Sequence, residues 1–598
     1  MELQENEAPK VLVVRRRVKT EKDGPRAWVQ PRTFGVSFSH RFLVSATLAL
    51  TLTTVANAQC DVTAQADQYF QPLVKSRKAY AAALVYVQDG APPQLRVYGN
   101  RVSERTLWRA ASVSKALTAL AVMRLAEQGK LPLDSDIRDF VPTTAIRSHY
   151  DHPVTIRELL LHQGGVDDHF IGDGFSDGQQ PTMTQIVSER PLDVVYEPGK
   201  IELYSNYGYA LLGAAIEKAS GERYEQYMQT HVLQPLGMND SSFQQPLPTG
   251  WRSRVAPGKW VYQHAAPAAA LTTSANDMGR FLSATLNRAS SVISPESFNQ
   301  MVPPSLEGVR LMHGLGYWTG QDRGQRLVAA SGDIEQFHNV LVAFPELRSG
   351  FSVMISGPSN SLAWGFYARF MDACVPPARK AAPTSSEAMP ASVNAERIGG
   401  VAGLYRTVRY PHHELSKTFI LFDLTKVSVR RDGSLDISGQ HCVRTPGQQY
   451  QPETGGPALA FLSTSDGKQF IVQPGSPARE KIHWFQTGWI AVLSYFGCIG
   501  VFIVGFVKSR RCTRIIYGIA LVYGVGWLAT VLIVGPSNLI LGLPIILQCF
   551  LALGTALPAL FIASIFVAGK TPTRYSILLA LSLLPFSMVV WYWHLYWP

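Results

Sequence analysis

The chain has 598 residues, too many for one hydrophobic core, so two or more domains are expected. Its formal net charge of +11 is unevenly placed, because residues 1–58 carry nine basic and five acidic side chains, and residues 485–598 carry six basic and no acidic ones. The residues between these two segments therefore carry a net charge of only +1. This excludes a basic nucleic-acid-binding surface there, and no nucleic acid partner is expected.

The first 58 residues have the pattern of an export signal. Arg41 precedes the apolar stretch Phe42–Val55, and Ala56-Asn57-Ala58 is a small-x-small cleavage site. We interpret residues 1–58 as a signal peptide, with an unusually long region before the apolar stretch. The alternative is an uncleaved signal anchor.

The part from residue 60 to 375 alternates helical and strand patterns with short turns, which predicts one α+β or α/β domain. Within it, Ser112 and Lys115 open the helical stretch Ser112–Gln128. Residues i and i+3 of a helix share one face, so the lysine amine can reach the serine hydroxyl, which needs a base to become a nucleophile. The alternative is an N-cap serine followed by a solvated lysine.

Several residues of metal-ligand type follow this motif. They are His149, His152, Asp167, Asp168 and His169. No Cys-x-x-Cys or other metal-ligand spacing appears, and surface loops commonly gather such residues without binding an ion. We therefore expect no metal and no cofactor.

Two further regions follow the central domain. Residues 376–396, rich in Pro, Ala and Ser, have the composition of a linker. Residues 397–484 show short apolar runs separated by turn signals such as Arg431-Asp432-Gly433, which predicts a small all-β domain. The predicted strands are Phe419–Phe422, Lys426–Val429, Leu435–Ile437, Ala458–Leu462 and Phe470–Val472.

The C-terminal region, residues 488–597, predicts four transmembrane helices. The apolar stretches Gly488–Val507, Ile515–Val534, Ile545–Val567 and Tyr575–Tyr596 are each long enough to cross a bilayer. The third is the least regular, because Gly542, Pro544 and Pro558 interrupt a longer apolar region. Basic residues follow the first and third stretches, which places those turns in the cytoplasm and both ends of the region outside. This predicts a multi-pass protein of the inner cell membrane, embedded in the lipid bilayer, with its central domain extracytoplasmic.

Several segments, in order, resemble the penicillin-recognising serine hydrolases, specifically the class C β-lactamase-like branch, which also includes D-amino-acid-specific peptidases, carboxypeptidases and esterases. These segments are Leu107–Lys115, Thr155–Gly165, Tyr196–Gly199, Tyr204–Tyr209, Leu233–Met238 and Gly314–Trp318. The resemblance covers roughly half the chain. It implies an α+β fold of the β-lactamase/transpeptidase type, in which helices pack on an antiparallel sheet.

The resemblance also implies roles for individual residues. Ser112 would be the nucleophile that forms an acyl-enzyme, and Lys115 would share its proton. Tyr204 would act as general base and then protonate the leaving group. Asn206 would orient Lys115 and the substrate amide, and the backbone N–H groups of Ser112 and Asp333 would form the oxyanion hole.

The third motif departs from the family pattern. The family usually has Lys-Thr-Gly or His-x-Gly on the strand that lines the site, whereas this chain has Ala330-Ser331-Gly332-Asp333. Ser331, Gly332 and Asp333 remain candidate substrate-binding residues. Alanine cannot attract a carboxylate, so a preference for uncharged esters or amides is expected, unless one of His338, Arg323 and Arg326 supplies the missing cation.

The resemblance further implies a disulfide between Cys60 and Cys374. These cysteines bracket the domain, whose chain ends lie close together in the family fold, and an exported domain is in an oxidising compartment. Cys442 would be left unpaired.

These observations together predict an exported, membrane-anchored serine hydrolase that cleaves an amide or ester through an acyl-enzyme. The substrate would be a small molecule or peptide, cell-wall peptides included. The alternative is a membrane-anchored receptor or scaffold that binds a ligand in the same site without hydrolysing it, and Ala330 leaves room for that reading.

Overall fold

The fold is seen in a computed structural model. It describes residues 60–598 apart from 177, 179, 249–250, 252–254, 256–259, 304–311, 376–399, 446–448, 456, 510, 535–538, 540–542, 571–572 and 596–598. The predicted signal peptide and linker therefore lie outside the described residues.

Helices and strands alternate as far as residue 374, strands dominate from 403 to 482, and helices make up the rest. The helices are α1 Val62–Lys75, α2 Ser114–Glu127, α3 Ile156–Leu160, α4 Met183–Glu189, α5 Asn206–Ser220, α6 Tyr224–Met228, α7 Ala266–Ala269, α8 Ala275–Leu286, α9 Pro295–Met301, α10 Ser361–Cys374, α11 Gly488–Lys508, α12 Arg511–Val534, α13 Ile545–Thr555, α14 Leu557–Lys570 and α15 Arg574–Tyr592.

Most strands belong to two large sheets. They are β1 Ala81–Gln88, β2 Gln94–Tyr98, β3 Trp108–Arg109, β4 Ile146–Arg147, β5 Gly174–Phe175, β6 Leu192–Asp193, β7 Tyr262–Gln263, β8 Thr272–Thr273, β9 Met312–His313, β10 Trp318–Asp322, β11 Gln325–Ile334, β12 Phe337–Phe344, β13 Ser349–Ser356, β14 Gly403–Thr407, β15 Thr425–Val429, β16 Leu435–Ile437, β17 Gln440–Arg444, β18 Tyr450–Pro452, β19 Ala460–Ser463, β20 Gln469–Gln473 and β21 Ser476–Ile482.

The first domain is α+β and is built on a seven-stranded sheet of order β2-β1-β13-β12-β11-β10-β9, with antiparallel neighbours throughout. Successive residues of β1 enter different cores, because side chains alternate across a strand. Ala83 and Val85 join the core that contains α2 and α5, whereas Leu84 and Tyr86 join the core formed with α1 and α10. Helices thus cover both faces, and β11 lies within reach of the start of α2.

A disulfide joins the two ends of this domain, as predicted. Cys60 precedes α1 and Cys374 ends α10, and their sulfur atoms are bonded across 314 positions of sequence. Cys442 is free and buried. In the chain-entropy model a loop of this length stabilises the fold by up to about 5 kcal/mol.

The second domain is an eight-stranded antiparallel sheet of order β18-β17-β16-β15-β14-β21-β20-β19. Four of the five predicted strands lie in it within two residues of their bounds, but the predicted strand Phe419–Phe422 is wrong. A 3₁₀ helix, Leu415–Ile420, occupies that region instead. Phe419 and Phe422 stay exposed, and Phe419 meets Phe170 edge-on with ring centroids 5.7 Å apart, so this apolar run is not buried as a strand of the sheet would be.

The two domains share one apolar cluster. Tyr196, Ile201 and Leu203 of the first domain pack in it with Val408 and Phe470 of the second. The Tyr196 hydroxyl also donates to Glu480 Oε2 at 2.8 Å. These contacts hold residues that follow β14 against the first domain.

The C-terminal helices are long and apolar. Among the described residues, three are suited by length and composition to cross a membrane, and a fourth span exists if α13 and α14, which meet at a 44° bend, count as one. This bend occurs at Ala556-Leu557-Pro558, where proline interrupts the predicted third span. In the described part of the chain, a bent pair of helices therefore stands where the third span was predicted.

One end of this helical bundle contacts the rest of the protein. The start of α11 lies against Leu421, the Gly172 N–H donates to the Leu539 carbonyl between α12 and α13 at 3.1 Å, and the His594 ring lies 5.8 Å from His413. Both termini of the bundle therefore lie at the end nearest the two domains.

Candidate active site

The predicted nucleophile lies at the start of a helix. Ser112 is in the 3₁₀ turn Ala111–Val113 that leads into α2, so the regular helix begins two residues later than predicted. Ala111 has φ of 49°, a left-handed conformation that non-glycine residues adopt only where the surroundings impose it. A Cβ at Gly332 on β11 would lie 2.2 Å from the Ala110 carbonyl and 2.7 Å from Ser112 N, so only glycine fits beside the nucleophile.

Lys115 is buried and makes three hydrogen bonds. Its Nζ donates to Ser112 Oγ at 3.2 Å, to Asn206 Oδ1 at 2.8 Å and to the Ala268 carbonyl at 3.2 Å. The lysine is therefore fixed at the serine rather than solvated, which contradicts the N-cap-and-surface-lysine alternative.

Tyr204 reaches the same serine from the segment before α5. Its hydroxyl donates to Ser112 Oγ at 2.9 Å, and its ring stacks on His162 with centroids 4.2 Å apart. His162 is fully buried and accepts the Ser205 N–H at Nδ1, 3.3 Å away. Burial and the neighbouring charges of His313, Lys115 and Arg409 lower the pKa of His162 well below its usual value, so a neutral imidazole supports the Tyr204 ring.

Asn206 is held by a residue that sequence analysis did not assign to the site. Asp168 accepts hydrogen bonds from the Asn206 and Tyr207 N–H groups at the start of α5, and from Asn206 Nδ2 at 3.0 Å. This contact directs the Asn206 carbonyl oxygen to Lys115. Burial raises the pKa of Asp168 while the N–H donors oppose that shift.

The predicted loop cluster is dispersed among separate partners. His149 lies against Tyr150, His152 bonds Glu158, Asp167 bonds His413, Asp168 bonds Asn206 and His169 bonds Glu414. Among the described residues no group of three or more His, Cys, Asp or Glu side chains is placed to hold a metal ion.

The predicted catalytic and substrate-binding residues line one cavity of about 470 Å³. Ser112, Lys115, Tyr204 and Asn206 lie on its walls, as do the third-motif residues Ala330, Ser331, Gly332 and Asp333. Asp333 is paired with His338 Nδ1 at 2.9 Å. The structure thus brings together every residue that the sequence predicted for the site.

None of the three suggested replacement cations lines this cavity. His338 is held between Asp333 and the Gly357 carbonyl. Arg323 donates to the Met371 carbonyl and pairs with Asp372 behind the sheet, and Arg326 donates to the Val302 carbonyl.

A different arginine enters the cavity from the second domain. Arg409, which follows β14, lines the cavity and places its guanidinium carbon 4.4 Å from the centroid of the Tyr204 ring. It belongs to residues 408–414, which we call the strap. No local signal marks Arg409, because its position depends on packing between domains.

Charged contacts hold the strap on the first domain. Asp167 accepts the His412 N–H and lies 2.8 Å from His413 Nδ1. Glu414 accepts the N–H groups of Phe170 and Ile171 at 3.0 and 3.1 Å. The strap is thereby fixed to the loop that also carries Asp168 and lines the cavity with Phe170.

Comparison with known proteins identifies the family. The sequence matches the Beta-lactamase family over residues 66–365, half of its length. The chain belongs to the Beta-lactamase family. Its α+β domain therefore has the β-lactamase/transpeptidase-like fold that the sequence motifs implied.

Relatives of this Beta-lactamase-family chain are distant. It is 24% identical over 277 residues to Protein flp of Staphylococcus aureus strain MW2, which is 42% of this chain and 53% of that one. It is 34% identical over 142 residues to penicillin-binding protein 4* of Bacillus subtilis strain 168, or 23% and 30% of the two chains. The chain thus spans about half or less of these curated relatives.

Among solved structures, the octameric penicillin-binding protein homologue from Pyrococcus abyssi is 21% identical to this chain with a TM-score of 0.43. The match covers 70% of this chain and all of the other.

Proposed function

We propose that the protein is an exported, membrane-anchored serine hydrolase that cleaves an amide or ester through an acyl-enzyme on Ser112. The observation that carries this proposal is the convergence of Lys115 Nζ and the Tyr204 hydroxyl on Ser112 Oγ, at 3.2 and 2.9 Å, in a cavity large enough for a small substrate. Membership of the Beta-lactamase family supports a function of the serine hydrolase type.

The proposed reaction has two steps. Tyr204 acts in its phenolate form: it takes the Ser112 proton as Oγ bonds to the substrate carbonyl carbon, and the resulting phenol gives that proton to the leaving amine or alcohol when that bond breaks. Water then attacks the ester on Ser112. Tyr204 takes the water proton and gives it to Ser112 Oγ as the ester bond breaks. Lys115 stays hydrogen-bonded to Ser112 Oγ and to Asn206 Oδ1, beside the reacting oxygen.

The carbonyl oxygen would become negatively charged in each step. In the proposed oxyanion hole it accepts from the backbone N–H groups of Ser112 and Asp333. The close approach of Gly332 to Ser112 N brings the end of β11 beside the nucleophile and supports this assignment. Each such donor contributes about 3 to 4 kcal/mol to transition-state stabilisation in a well-characterised serine protease.

A substrate panel tests the proposal. Full-length protein in detergent is given D-amino-acid peptides, short-chain esters and a chromogenic cephalosporin, and product is counted per mole of protein. We expect many turnovers with at least one class. Saturable binding without turnover across the panel would favour the receptor alternative.

We also propose that the four apolar segments span the inner membrane and that both ends of the bundle lie outside the cytoplasm. Support comes from the contacts that Gly488, Leu539 and His594 make with the domains at one end of the bundle. Lys508, Arg511 and Arg514 mark the turn at the other end. An alkaline phosphatase fused after Pro598 should be active, and activity of only a cytoplasmic reporter there would contradict this topology.

A further inference from the structure

The cation missing from the third motif has a counterpart elsewhere in the lining of the cavity. Ala330 carries no charge, whereas the guanidinium of Arg409 lies at the Tyr204 ring. We infer that Arg409 is a specificity-determining residue that binds a carboxylate in the leaving group of the substrate. This inference rests on the proposed function and reverses the preference for uncharged substrates that Ala330 alone predicts.

The position of Arg409 indicates which half of the substrate it meets. In the proposed reaction Tyr204 protonates the leaving group, so that half of the substrate must lie next to the Tyr204 hydroxyl. The guanidinium carbon of Arg409 is 4.4 Å from the centroid of the same ring. A carboxylate one or two bonds beyond the leaving nitrogen or oxygen would therefore lie within reach of the guanidinium.

The guanidinium of Arg409 is also available. Its side chain is exposed to the cavity, and no carboxylate of the described residues lies within ion-pair distance of it. Arg109 is buried and paired at 3.2 Å with Glu335, which lines the cavity. Because a planar guanidinium binds a carboxylate through two parallel hydrogen bonds, an unpaired one in a cavity is suited to an anionic substrate group.

The acidic groups of the cavity do not neutralise Arg409. Glu335 faces Arg109, and Asp333 faces His338. Asp173 is buried and accepts the Ala265 N–H at 3.1 Å. The Arg409 guanidinium therefore faces the open volume of the cavity.

Two esters that differ only in the leaving group test the inference. One is the hippuryl ester of D-lactic acid, which leaves with a carboxylate, and the other is the hippuryl ester of D-lactamide, which does not. The ratio of their kcat/KM values is measured with full-length wild type, Arg409→Gln, Arg409→Lys and the exposed-surface control Arg431→Gln.

We expect wild type and Arg431→Gln to prefer the carboxylate ester. Arg409→Gln should reduce that ratio about 10- to 150-fold, the equivalent of one charge-assisted hydrogen bond, and Arg409→Lys should be intermediate. An equal fall for both esters would show that Arg409 only positions Tyr204. An unchanged ratio would show that the carboxylate lies elsewhere.

Equilibrium binding keeps this test independent of turnover. Binding of the two esters to Ser112→Ala is compared with binding to Ser112→Ala/Arg409→Gln. If wild type shows no multiple turnover, the hydrolase proposal fails. If the carboxylate ester still binds preferentially in that case, and this preference is lost with Arg409→Gln, the inference is supported. Absent or Arg409-independent preference would overturn the inference, whatever the turnover of wild type.

Discussion

Two parts of the cavity lining, which we call the nucleophile end and the strap end, differ in how their charges are held. At the nucleophile end, Lys115 has three hydrogen-bond partners, and Asn206 is fixed by a buried carboxylate. At the strap end, the guanidinium of Arg409 faces the cavity beside Tyr204 without a carboxylate partner among the described residues. Under the proposed function, the first domain would supply the chemistry and Arg409 of the second domain would supply selectivity.

The strongest test of the nucleophile end is Ser112→Ala. We expect hydrolysis to fall about 10⁴- to 10⁶-fold and labelling by a fluorophosphonate to disappear, because the acyl-accepting oxygen is removed. Ser465 is a matched control, since it is also followed three residues later by a lysine but lies in an exposed turn. Ser465→Ala should label and react as wild type does, and labelling of Ser112→Ala would contradict the assignment.

Tyr204→Phe separates proton transfer from ring packing. Phenylalanine keeps the ring that stacks on His162 and underlies Arg409 but removes the hydroxyl at Ser112. We expect kcat to fall about 10²- to 10⁴-fold while the preference between the two lactyl esters is retained. Loss of that preference in parallel with kcat would show that the two ends do not work separately.

Glu414→Ala tests whether the strap is held by its contacts with the first domain. The change leaves the part-buried N–H groups of Phe170 and Ile171 without this acceptor, at a cost below the roughly 1–3 kcal/mol of a fully buried donor. The midpoint of thermal unfolding should fall, and the ratio of kcat/KM for the two esters should shift toward that of Arg409→Gln. Glu346→Ala, in an exposed turn, should change neither quantity.

The smallest expected effect is on the pH dependence of stability. The pKa of His162 is lowered by burial and by His313, Lys115 and Arg409, so the unfolded chain binds a proton below pH 6.5 that the folded state does not. Stability should therefore fall with decreasing pH below about 6.5, by up to about 1.4 kcal/mol per pH unit from this group.

Thermal unfolding between pH 5 and 8 measures that slope. His162→Gln should show a shallower decline than wild type, although its stability at pH 8 is lower because the stacked ring is lost. His149→Gln, at an exposed position, should decline as wild type does. Parallel curves for wild type and His162→Gln would mean that another group accounts for the decline.

The nucleophile end could be predicted because each part of it is local in sequence. Ser112 and Lys115 are one helical turn apart, and Tyr204 and Asn206 belong to one short motif, so recognisable segments bring both pairs to the site. The position of Asp168 could not be predicted, because its place in a loop rich in His and Asp resembles an ordinary surface cluster. Only the folded chain shows that it accepts hydrogen bonds at the start of α5.

The strap end could not be predicted for a different reason. Arg409 follows a strand of another domain, and its place in the cavity depends on Val408 and Phe470 packing with Tyr196 and on the contacts of Glu414. No periodicity or spacing encodes such a long-range contact. Phe419–Phe422 was likewise predicted as a strand from its apolar composition, although a 3₁₀ helix covers Leu415–Ile420 and the Phe419 side chain stays exposed.

Phe170 belongs to two environments at once. It lines the cavity, and it packs with the cluster of side chains formed by the C-terminal helices, beside the Gly172–Leu539 hydrogen bond. A soluble fragment ending at Cys374 would expose that surface and would also lack the strap. The choice of detergent therefore matters to the activity assay, because displacing the C-terminal helices would remove the packing of Phe170 and so change the lining of the cavity.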